Sequence, residues 1–112
     1  MIIKTDDYII DSSILNEVSI SGSMRLPSPL SYDQPFSLIK KSLENCTDTL
    51  TVNLTSLEYL NSSGITSLAR IIIQARKDNK DMKLIINNSI PWQQKTLLSL
   101  KQLWEKLDIE SI

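Results

Sequence analysis

The chain predicts an α/β fold: a mixed β-sheet with helices packed on it, in the order β-β-α-β-α-β-α. Three observations lead there. Apolar and polar residues alternate from Glu17 to Leu26 and again at Leu50, Val52 and Leu54, the period of strands with one buried face. Elsewhere apolar residues recur at helical spacing, most regularly at Ile65, Leu68, Ala69, Ile72 and Ile73. Strands and helices alternate through the second half, which calls for right-handed crossovers and parallel neighbours. Helices laid on such a sheet define the class.

The first strand is read at Tyr8-Ile9-Ile10, closed by the turn-forming Asp11-Ser12-Ser13. The second spans Glu17 to Leu26, where Val18, Ile20, Gly22, Met24 and Leu26 alternate with more polar residues. Gly22 inside it predicts a bulge or a close backbone approach. Pro27, Pro29 and Pro35 force a loop. Ser31 or Asp33 then caps a helix with Phe36, Ile39 and Leu43 on one face, ending near Asn45–Asp48. Leu50, Val52 and Leu54 read as a short central strand. After Asn61-Ser62-Ser63-Gly64 comes the strongest helical pattern, from Ile65 to Lys77, stopped by Asp78–Asp81. Met82 to Asn87, with Leu84-Ile85-Ile86 contiguous, reads as a strand buried on both faces. A last helix is expected from about Gln93 to Leu107, with Leu97, Leu100, Trp104 and Leu107 on one stripe.

The totals restrict chemistry more than they suggest it. The 112 residues are read as a single domain, 1–112, with enough apolar content (41%) for a core. The net charge of −1 gives no reason to expect nucleic acid or an anionic membrane as partner. No apolar run approaches the ~18 residues of a membrane span, and Met1–Asp7 does not read as a signal peptide. One cysteine, Cys46, fits a reducing compartment and a cytoplasmic location. There is no histidine at all, which removes the commonest general base and the commonest metal ligand. With two glycines, no glycine-rich phosphate loop exists. No metal, no cofactor and no enzymatic activity are expected.

The stretch from Leu54 to Ile65 is the most informative. A strand-like run ends, and Asn61, Ser62 and Ser63 precede Gly64 and a long amphipathic helix. A helix N-terminus presents unpaired N–H groups and a partial positive charge, so a serine there is either a cap or a place for an anion. Arg70, Arg76, Lys77, Lys80 and Lys83 read as a solvated helix face diluted by Asp78 and Asp81. Trp92, beside Pro91, reads first as a seal on the core edge and second as a partner anchor.

Val52-Asn53-Leu54, Leu57–Leu60 and Asn61-Ser62-Ser63-Gly64-Ile65, with Gly22-Ser23-Met24 earlier, resemble the STAS domain of bacterial anti-sigma-factor antagonists. The similarity runs from about Glu17 to Leu107 and looks closest to small stand-alone STAS-like proteins known mainly from cyanobacteria. The resemblance implies a signal-transduction protein that regulates transcription by binding an anti-sigma factor or GHKL-type serine kinase. It implies phosphorylation of Ser63 (Ser62 less so), reversed by a serine phosphatase. It also implies a partner-binding surface made of Gly22, Arg25, Asn61, Ser62, Ser63, Gly64 and Ile65. Asn61 stands where most phosphorylatable members carry Asp, so the alternative is a non-phosphorylated interaction or scaffold module. Exposed sheet edges leave weak homodimers open.

Overall fold

A computed structural model describes all 112 residues. Six strands form one sheet in which spatial order equals chain order: β1 (Ile2–Lys4), β2 (Tyr8–Asp11), β3 (Glu17–Met24), β4 (Leu50–Leu60), β5 (Met82–Ile86) and β6 (Asp108–Ser111). The first two pairings are antiparallel and the remaining three parallel. Helices α1 (Ser37–Asn45), α2 (Ser62–Lys77) and the short α3 (Pro91–Thr96) make the crossovers, with 3-10 turns at Pro29–Tyr32 and Leu98–Leu103.

Every parallel crossover steps the sheet in the same direction, so right-handedness places the helices on one face. The alternation of burial agrees. Val18, Ile20, Val52, Leu54, Leu84 and Ile86 are buried to within 1% of complete and join α1 and α2 residues in one core of 25 apolar side chains. The opposite face carries the cross-strand rows Glu17-Thr51-Lys83-Asp108 and Ser19-Asn53-Ile85-Glu110. That face is polar enough to stay in water, and Lys83 pairs with Glu110 across it at 3.3 Å.

The α/β class and the mixed sheet stand as expected, while the element order gains two strands and alters a helix. β1 pairs Ile3 with Ile10 at one edge. β6 adds Asp108–Ser111 at the other, with Ile109 as its one apolar side chain, too little for a period to show. The expected last helix breaks after Thr96 into the 3-10 turn. Leu97, Leu100, Trp104 and Leu107 are nonetheless all buried, so the stripe is right and the conformation is not.

β4 is twice the expected length. Its register against β3 runs Asn53 to Ser56 opposite Ser19 to Ser21, and Leu57 to Tyr59 opposite Gly22 to Ser23. Each step places an extra residue in β4, a β-bulge that resets which side chains face the core. Leu54, Leu57 and Leu60 are therefore all buried although they are spaced by three. Gly22 sits at the second irregularity with φ +91°, and a Cβ there would overlap the carbonyl oxygen of Asp7. Close backbone approach, as the sequence predicted, is why this position is glycine.

Candidate docking surface at the β4–α2 turn

The bulges carry β4 beyond the end of β5, which pairs only with Leu50–Asn53. The remaining carbonyls on that edge need donors, because a buried unpaired carbonyl costs about 1–3 kcal/mol. Side chains from the loop after β5 and from α3 supply them. Gln93, fully buried, donates its Nε2 to Leu54 O at 2.7 Å and to Leu57 O at 2.8 Å, and its Oε1 accepts from Asn87 N at 2.8 Å. Asn87 Nδ2 donates to Thr55 O at 3.1 Å, and the Trp92 indole N–H donates to Glu58 O at 2.6 Å. Three side chains thus stand in for a missing strand and hold upper β4 rigid up to Asn61.

The other flank of the turn is held by Asn61 itself. It is the N-cap of α2, its Oδ1 accepting from Gly64 N at 3.1 Å. The same oxygen accepts from the Tyr32 hydroxyl at 2.6 Å, and Nδ2 donates to Leu26 O at 2.8 Å. Leu26 N in turn donates to the Tyr32 oxygen at 3.3 Å. The Leu26–Tyr32 loop is therefore clamped to the turn. Gly64 is buried above Tyr32, and a Cβ on it would press into the Tyr32 ring and the Leu60 side chain.

Tyr32 has no exposed surface, and loss of water raises its ionisation above the usual tyrosine range. A group whose folded pKa is raised gives stability that is full below its unfolded value, about 10, and lost as pH rises through the folded value. Thermal melts followed from about pH 8 to about pH 12 should fall in midpoint above roughly pH 10. Tyr32→Phe should start lower, having lost the Asn61 bond, and fall less steeply. Equal slopes for the two proteins would show that Tyr32 does not contribute.

On the outer surface of this turn three side chains meet. The Arg25 guanidinium lies over the Tyr59 ring, 4.5 Å from its centroid. Tyr59 meets Trp92 edge to face at 6.5 Å. Arg25 is exposed, Tyr59 is 38% exposed and Trp92 half-buried, so the row is ordered and still presents its faces to solvent. Arg25, named for the partner-binding surface, is exposed here, and Trp92 is bound to β4, in line with its reading as a seal on the core edge, while its ring is displayed beside Tyr59. Tyr59 was missed because Leu57-Glu-Tyr-Leu60 has no strand period once the bulges intervene.

The structure brings Arg25, Asn61, Ser62, Ser63, Gly64 and Ile65 to one end of the sheet. Gly22 lies two residues before the end of β3, inside the sheet between β2 and β4, and contributes backbone only. Ser62 is exposed, Ser63 is half-buried and Ile65 packs against the core. Neither serine caps the helix, since Asn61 does. Of the amides at this helix N-terminus, Gly64 N is already bonded to Asn61 Oδ1 and Ile65 N to Asn61 O. The basic series disperses: Arg76 donates to Leu103 O, and Lys83 lies on the far sheet face. No group of three or more acidic or cysteine side chains is placed to hold a metal ion. No helix is long and apolar enough to cross a membrane.

No protein-family model matches the chain, and no curated protein matches it. Among solved structures the fold recurs at 15% identity. A chain in the crystal structure of the diguanylate cyclase SiaD in complex with its activator SiaC, from Pseudomonas aeruginosa, matches with TM-score 0.71, covering 100% of this chain and 99% of that one. SiaC of Pseudomonas aeruginosa matches at 0.67, covering 98% and 95%, and apo-SiaC from the same organism at 0.59, covering 98% of each. At this identity the likeness is one of fold, and the fold is STAS-like. It corrects the expected partners. The complex solved for this fold joins an activator to a diguanylate cyclase. The anti-sigma factor, GHKL-type serine kinase and serine phosphatase, with the Ser63 phosphorylation switch built on them, give way to that finding.

Proposed function

We propose that this chain is a non-enzymatic regulatory module of STAS-like fold that works by docking on a diguanylate cyclase. It is the interaction-module alternative, given a partner class. The whole chain, 1–112, acts as one unit in the cytoplasm. The observation that carries the docking surface is the row Arg25–Tyr59–Trp92 beside the Asn61–Ile65 turn. Arg, Tyr and Trp are the residues that dominate protein interfaces, because each combines a large apolar surface with a polar tip. Here they are fixed before any partner arrives: the indole N–H is anchored on Glu58 O, so little rotamer freedom remains to be lost on binding. The partner class is supported by the complex solved for the same fold.

The test is calorimetric titration of the chain into diguanylate cyclases of its own organism, with cyclase turnover measured in parallel. Tyr59→Ala and Arg25→Ala should each weaken binding by roughly tenfold or more. Trp92→Phe, which keeps a ring and loses the indole N–H, should weaken it less than Trp92→Ala. Affinity unchanged in all the alanine variants would remove this surface from consideration.

A further inference from the structure

The two edges of the sheet differ in what they leave open. Met1 O accepts from Ser12 N and Thr5 N donates to Tyr8 O, both at 2.9 Å, so Met1, Ile3 and Thr5 turn their backbone groups toward β2. In an antiparallel pair the alternate residues point the other way. The N–H and C=O of Ile2 and Lys4 therefore face outward from β1, and no other part of the chain bonds to them. At the far edge Ile112 bonds to Ile86 and Asn88, which leaves Ile109 and Ser111 facing outward from β6. Ile2 is 56% exposed, and neither Lys4 nor the neighbouring Asp11 has an ion-pair partner.

An open edge is a template for another strand, and a second copy of the chain supplies one whose every residue is known. For β6, the register that bonds Ile109 to Ser111 in both copies sets Glu110 directly opposite Glu110. Like charges so placed repel, and this edge is guarded against its own kind. β1 has no such obstacle. Pairing Ile2 with Lys4 of the second copy uses every free group, four hydrogen bonds in all. It also keeps the two lysines apart, whereas Lys4 against Lys4 would oppose them.

The side chains agree with that register. Ile9 neighbours Lys4 and Asp11 neighbours Ile2, so one row on the open face runs Ile9–Lys4 in one copy and on through Ile2–Asp11 in the other. The stem of Lys4 then covers the other copy's exposed Ile2. Its ammonium reaches toward the Asp11 carboxylate, two strand spacings or about 9–10 Å away. On the helix side Ile3, which packs against the core, meets the second Ile3. We propose that the chain forms a two-fold homodimer through β1, a continuous sheet centred on Ile3. The contact is short, so the dimer forms and dissociates in the micromolar-to-millimolar range. Strands run antiparallel across the axis, which turns the two Asn61–Ile65 turns toward opposite ends of the sheet and leaves both free. The dimer does not depend on the cyclase reading; where both hold, one dimer carries two cyclase molecules.

Sedimentation equilibrium of the full chain should show a monomer–dimer equilibrium. Ile2→Pro removes an N–H that points outward and keeps the bonds between β1 and β2. Its circular dichroism and melting should match wild type while the dimer dissociation constant rises at least tenfold. A cross-link reads the register, because directly opposite residues of a non-hydrogen-bonded pair have Cα atoms about 4.5 Å apart, within disulfide reach. In a Cys46→Ser background, Ile3→Cys should give a disulfide-linked dimer on air oxidation, and Ile2→Cys, out of register with its own copy, should not. A wild-type chain that stays monomeric into the millimolar range overturns the inference, as does Ile2→Pro dimerising like wild type or equal cross-linking of the two cysteine variants. Assemblies that grow past the dimer overturn it too, since they mark β1 pairing head to tail with β6. The cyclase titration is a separate readout, in which Ile2→Pro should bind as wild type does.

Discussion

Gln93→Leu is expected to lower the free energy of unfolding by about 3–5 kcal/mol, the largest effect of any single substitution away from the apolar core. Leucine fills nearly the same volume, so packing is not the issue. What is lost is a set of three hydrogen bonds inside the protein, to Leu54 O, Leu57 O and Asn87 N. Each group is left in a site closed to water, and a buried polar network with its centre removed costs more than its bonds contribute when intact. Gln93→Glu separates the two sides of the network. It keeps the acceptor for Asn87 N and turns the donor toward two carbonyl oxygens into a second acceptor, so it should be as damaging at neutral pH. Urea denaturation of wild type and both variants reads the effect directly. A loss below about 1 kcal/mol for the leucine variant would mean water enters behind it and the loop is less closed than its geometry indicates.

That network also explains what was legible in the sequence and what was not. The core stripes of β3 and α2 follow simple periods, and Val18, Ile20, Leu68 and Ile72 are buried as those periods require. β5, expected to be buried on both faces, is buried on one only: Leu84 and Ile86 enter the core, and Ile85 is half-buried on the open face because every helix lies on the other side. β4 violates its period because its two bulges are stabilised from outside, by a glutamine, an asparagine and a tryptophan more than 30 residues away in the chain. No local pattern encodes a distant side chain capping a carbonyl. The same holds for the docking row. Arg25, Tyr59 and Trp92 come from three separate elements, and only the fold puts them in register. The turn was found correctly, since a cap, a glycine and a helical stripe are local signals. The cap was misassigned, because serines were weighed for it when the asparagine before them holds that place; the Ser63 switch gives way for a separate reason, the complex solved for a chain of this fold.

Asn61→Asp is expected to destabilise the protein by about 2–3 kcal/mol at neutral pH, although aspartate is as good an N-cap as asparagine. The cap itself survives, because a carboxylate oxygen accepts from Gly64 N and from the Tyr32 hydroxyl at least as well. A negative charge is also favoured at a helix N-terminus, by about 0.3–1 kcal/mol. Both effects predict a gain. Against them stands Nδ2, which donates to Leu26 O at 2.8 Å. An ionised carboxylate has no proton to offer, so it would set an oxygen carrying negative charge against a carbonyl oxygen in a part-buried site. The Leu26 carbonyl would lose its partner and the loop from Leu26 to Tyr32 would be pushed off the turn. Repulsion and an unsatisfied carbonyl outweigh the dipole gain. Asn61→Ser, which caps without reaching Leu26, should fall between the two. Denaturation of the three proteins gives the order, and pairing each with Tyr32→Phe measures the coupling across the 2.6 Å bond. The same variants bear on docking: if this clamp fixes the turn, Asn61→Asp weakens cyclase binding even below its melting temperature. Wild-type stability in Asn61→Asp would mean that the Leu26 bond holds nothing, and asparagine at this position would then need another cause.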